Sequence, residues 1–122
     1  MIETDVPGYK KLIVFQKSNE LVLLVYRLTR AFPREEMYGL TSQMRRCAVS
    51  VPANIVEGYG RRTKKDKVHF YYQAKASLNE LEYYVDLTHQ LGFISETVHQ
   101  GLNDLRKEVG RLLNGFINYS SK

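Results

Sequence analysis

The chain has 122 residues, 43% of them hydrophobic and 25% charged, with a formal net charge of +5. That length suits one domain, long enough to bury about two-thirds of its unfolded surface, and the composition is that of an ordinary globular protein. The single cysteine, Cys47, excludes an intrachain disulfide, and the longest apolar run, Leu21–Tyr26, is far short of a membrane span. With no signal-peptide pattern in the first residues, a cytoplasmic protein with no membrane partner is expected.

In chain order, residues 1–12 read as an extended N-terminal arm, with Pro7-Gly8 as a turn signal. A first helix is expected from about Val14 to Phe32, with Val14, Leu21, Leu24, Val25, Leu28 and Phe32 on its core stripe. Val22, Leu23 and Tyr26 fall off that stripe, so this helix is apolar over more than one face. In a chain with so few layers the second face is expected to meet another subunit.

Pro33 ends the first helix, and Thr41 or Ser42 can cap a second that runs to Tyr59. Laid on a helix, Gln43, Arg46, Ser50, Asn54, Glu57 and Arg61 occupy an arc of roughly 80°. They border the apolar stripe of Leu40, Met44, Cys47, Ala48, Val51 and Ile55, so the row is expected to be structural and to need partners. Ser50 can reach Asn54, and Glu57 can reach Arg61, at the i, i+4 spacing. Pro52 cannot donate to the Ala48 carbonyl; a kink is expected there in preference to a break and restart, because the apolar rhythm continues in phase. Gly58 and Gly60 are expected to take the chain out of the helix through positive φ.

A third helix follows from near Lys65 to Leu91, with Phe70, Ala74, Ser77, Leu78, Leu81, Val85, Thr88 and Leu91 inward and Gly92 as its stop. Ser95 caps a fourth, ending near Asn118, with Val98, Leu102, Leu105, Val109, Leu112, Leu113 and Phe116 inward. Nothing alternates with period two for long enough to make a sheet. The expected fold is all-α, an antiparallel up-down-up-down four-helix bundle forming a single domain.

All the excess charge lies in residues 45–67, which hold Arg45, Arg46, Arg61, Arg62, Lys64, Lys65 and Lys67 against Glu57 and Asp66. The remaining residues carry eleven charges of each sign. A concentrated basic segment on a balanced protein is the footprint of a polyanion partner, the bland alternative being a solubilising charge run.

Catalytic chemistry finds no constellation. His69 has no evident nucleophile to serve, and G-Y-G-R-R lacks both the Walker spacing and a preceding strand. Glu96-x-x-His99 and the poorer Asp86-x-x-His89 resemble halves of a bundle di-metal site, but Asp86 and Glu96 lie off the core stripes and both pairs sit by Gly92. No enzyme, cofactor or metal site is therefore expected. Cys47 reads as a small core residue rather than a reactive thiol.

The run G-L-T-S-Q-M-R-R-C-A-V-S-V-P-A-N-I-V-E-G-Y-G-R, followed by A-x-x-S-L-x-E-L-E and L-G-F-I-S, resembles the four-helix-bundle proteins also called large-subunit ribosomal RNA intervening-sequence proteins. The likeness spans about Phe15 to Phe116, and Ser50, Pro52, Asn54, Glu57, Gly58, Gly60 and Arg61 carry the motif. Val56 departs from the usual alanine. The resemblance implies a bacterial bundle with no attached enzymatic activity. Related accessory proteins of retroelements form homopentamers that bind nucleic acid and a reverse transcriptase; by that analogy a homo-oligomer, a pentamer, is expected here, while the retroelement role itself does not transfer. Two functions are thus expected to compete: a nucleic-acid binder, RNA above DNA, with Gln43 and the motif residues as framework, and a scaffold for an acidic protein.

Overall fold

The computed structural model describes residues 8–122. It contains four long helices: α1 (Ile13–Thr29), α2 (Leu40–Tyr59), α3 (Lys64–Gln90) and α4 (Glu96–Ser120). Each packs on two neighbours in a closed ring, α1 on α2, α2 on α3, α3 on α4 and α4 on α1. Partner numbers fall on one helix as they rise on the next. Cys47 meets Ser77 whereas Gly58 meets Tyr71, and Tyr71 meets Phe116 whereas Asp86 meets His99. Gly8 lies by Tyr59 and Thr29 by Arg45, so α1 and α2 also run in opposite directions.

Local signals account for most boundaries. Ser95 accepts from the Val98 N–H, and Thr63 accepts from the Asp66 N–H at the start of α3. Neither Thr41 nor Ser42 caps α2. Gly39 occupies that position, the Glu36 carboxylate accepts from the Leu40 N–H, and Thr41 is buried within the first turn. The expected arm lies outside the described residues for its first seven positions, and Gly8–Lys11 forms a 3-10 turn instead of continuing it in extended form. α1 stops at Thr29, three residues before the expected end, while Phe32 still reaches the core and packs on Phe93.

The core is the expected apolar stripe with specific substitutions. On α3 it is Tyr71, not Phe70, that is fully buried, and Leu91 is half exposed. On α4 the stripe extends to Ile117 and takes in Arg106, whose guanidinium is held by Asn103 at 2.9 Å and Glu82 at 3.5 Å. Its aliphatic stem covers apolar surface while the head keeps polar partners. Val22, expected on the outer face, is half-buried against the core. Among the described residues no buried side-chain polar atom lacks a partner, and no helix is long and apolar enough to cross a membrane.

Candidate functional site

The motif around Pro52 lies on the seam between α2 and α3. α2 runs unbroken through Pro52, which is itself buried, so the helix does not restart there. The polar row divides into an inner and an outer part. Inside, the Ser50 hydroxyl meets the Ser77 hydroxyl at 2.8 Å, and Asn54 Nδ2 donates to the Ser50 carbonyl at 2.8 Å and to its hydroxyl at 3.0 Å. The Cys47 thiol donates to the Ser77 carbonyl at 3.0 Å and lies 3.6 Å from Glu80. Burial, reinforced by the Glu80 charge and hydrogen bond, pushes that thiol up to about 12. It stays protonated and inert at neutral pH. Outside, Glu57 and Arg61 pair at 2.8 Å in solvent, as their spacing predicted, and Gln43 and Arg46 line a shallow cleft beside Cys47 and Glu80.

Gly58 and Gly60 do not leave the helix by positive φ; among the described residues only Gly92 has one. Gly58 has a different reason to be glycine. A Cβ there would sit 2.7 Å from the Tyr71 ring, 2.9 Å from Phe70 Cβ and 3.0 Å from the Lys67 carbonyl. The missing side chain lets α2 and α3 approach where the chain turns between them.

That turn carries the basic segment. Arg62 and Lys65 are exposed, Arg61 lies 4.6 Å over the Phe70 ring, and Lys67 Nζ donates to the Tyr59 carbonyl at 2.7 Å. Lys64 Nζ donates to the Lys122 carbonyl. Lys64 and Lys67 border an open groove of about 670 Å³ whose other walls include Tyr59, Tyr71, Phe116 and Tyr119. Tyr119 is 75% exposed and borders the same groove as the two lysines. Arg45 and Arg46 lie apart from this cluster. Arg45 is taken up by α1: its Nε donates to Thr29 at 2.8 Å, and its guanidinium covers the Tyr26 ring at 4.8 Å. Of the three residues expected at a subunit contact, Leu23 is 54% exposed and Tyr26 39%, with Val22 half-buried.

A model of the 23S rRNA-intervening sequence proteins matches residues 10–115. The chain belongs to that family. A crystal structure from Bacteroides thetaiotaomicron VPI-5482, of a protein with unknown function from the S23 ribosomal protein family, is similar in fold. The match covers 87% of this chain and 96% of that one, at 24% identity and a TM-score of 0.81. None of the curated proteins matches the chain.

Two groupings in this member of the 23S rRNA-intervening sequence family were not legible beforehand. The groove joins Tyr59 to Phe116 and Tyr119, which are far apart in sequence and meet because α4 returns beside the α2–α3 turn. The two carboxylate–histidine pairs, which lie off the core stripes, do come together, at the end of the bundle rather than in its interior. His89 lies 3.0 Å from Glu96, and His99 2.9 Å from Asp86. The signal was their shared i, i+3 spacing on either side of one glycine turn.

Proposed function

We propose that this member of the 23S rRNA-intervening sequence family is a non-enzymatic nucleic-acid-binding bundle that acts as a homo-oligomer, with RNA favoured over DNA. One observation carries the reading: Arg61, Arg62, Lys64, Lys65 and Lys67 gather at a single turn that opens on an aromatic-walled groove. Cations there can neutralise phosphates, while the exposed Tyr119 offers a surface on which an unpaired base stacks. Unstacked bases are more available in RNA loops than in duplex DNA, which favours RNA. Such contacts position a strand and read little of its sequence. Leu23 and Tyr26 on the outer side of α1 provide apolar surface for a second copy, and the family analogy favours a pentamer.

Binding of mixed-sequence single-stranded RNA and duplex DNA, followed by fluorescence anisotropy across salt, tests this. The expected result is salt-sensitive binding with little sequence preference. Arg62→Gln, Lys64→Gln and Lys65→Gln together should lower the salt slope by up to about 2 units, at about 0.7 per phosphate contact on a single strand. No detectable binding at low salt by the folded protein would overturn the reading in favour of an acidic protein partner.

A further inference from the structure

We propose that His89, Glu96 and His99, supported by Asp86, form a binding site for a divalent transition-metal ion at the α3–α4 end of the bundle. α3 and α4 each present a carboxylate and a histidine three residues apart, on neighbouring positions of one helix face. Antiparallel packing crosses the two sets, so His89 lies 3.0 Å from Glu96 and His99 lies 2.9 Å from Asp86. The imidazole rings stack with centroids 4.3 Å apart. Donor atoms of His89, Glu96 and His99 all fall within 4.8 Å of one another.

A tetrahedral ion with bonds of about 2.0–2.1 Å needs donors roughly 3.4 Å apart, within reach of small rotations of half-buried and exposed side chains. The backbone beneath is firmly held. Gly92, at φ +79°, reverses the chain, the Phe93 N–H closes on the Thr88 carbonyl at 2.9 Å, and Thr88 and Ile94 are buried. Two imidazoles and a carboxylate suit zinc, cobalt or nickel rather than magnesium or calcium, and leave one position for water. Asp86, already bonded to His99, is placed to orient that ring.

The test uses the full chain, stripped with chelator and titrated with Zn(II) by calorimetry and with Co(II) by visible absorption. One ion per chain is expected, with the d–d bands of a low-coordinate site, and Zn(II) should raise the melting temperature. His89→Gln with His99→Gln should weaken binding at least about tenfold and abolish the Co(II) bands, while melting like the parent without metal. Asp86→Asn should weaken binding less. Absence of saturable uptake by the parent, or uptake unchanged in the double variant, would overturn the assignment, leaving the four residues as interhelical polar contacts.

Discussion

Ser50 on α2 and Ser77 on α3 share a hydroxyl–hydroxyl hydrogen bond of 2.8 Å, and the Ser77 carbonyl takes the Cys47 thiol from the same helix. One residue of α3 thus meets two of α2 through its side chain and its backbone. Asn54 completes the group by donating to both oxygens of Ser50, one turn earlier on its own helix. These bonds lie beside Pro52, where α2 lacks one backbone donor. The two bonds to Ser77 join the helices where the backbone ladder is incomplete.

Asn54→Ala should therefore destabilise the bundle by about 1–3 kcal/mol, because Ser50 loses a partner in a partly desolvated seam. Glu57→Ala should cost no more than about 0.5 kcal/mol, since its pair with Arg61 stands in solvent. Urea denaturation of both variants checks the division of the row; equal losses would contradict it.

Gly58→Ala should destabilise by about 1–3 kcal/mol through overpacking against Tyr71, Phe70 and the Lys67 backbone, despite the better helix propensity of alanine. Gly115→Ala on α4 meets nothing within 4 Å and should stabilise by about 0.5–1 kcal/mol. Opposite shifts in melting temperature are the expected readout.

Stability should fall as pH rises from about 9 towards 12. Burial pushes both Cys47 and Tyr71 up to about 12, Cys47 with added help from Glu80 and Tyr71 from Tyr59. The unfolded chain therefore releases these protons first, and unfolding becomes easier with each step in pH, by up to about 1.4 kcal/mol per unit for each group. At neutral pH both groups are protonated in either state and contribute no slope. Tyr71→Phe should flatten the decline, as chemical denaturation at several pH values would reveal.

Leu23→Glu should shift any homo-oligomer towards smaller species without loss of helix content, because Leu23 is 54% exposed in the single chain. Light scattering together with circular dichroism reads both quantities. A parent that is monomeric at micromolar concentration would remove the subunit-contact reading of α1.

Heptad-like apolar spacing, the helix stop at Gly92 and the Ser95 cap were sufficient to specify four helices and their order. Those features act through neighbours on the same segment, and the i, i+4 pairs of Ser50 with Asn54 and Glu57 with Arg61 were legible for the same reason. Apolar spacing put Phe70 in the core and the structure turns Tyr71 inward instead, since adjacent residues lie about 100° apart and the bundle's exact rotation decides which is buried. Spacing could not give Gly58 its role, because a close approach exists only once two helices are packed. Arg45 reads as a free cation until α1 supplies Thr29 and Tyr26, and Lys67 until it bonds the Tyr59 carbonyl. Two of the four carboxylate and histidine side chains at the α3–α4 turn, Asp86 and Glu96, lie off the core stripes in sequence. Antiparallel packing brings all four together at the end where one helix reverses into the next, because chain reversal places residues equidistant from a turn beside each other.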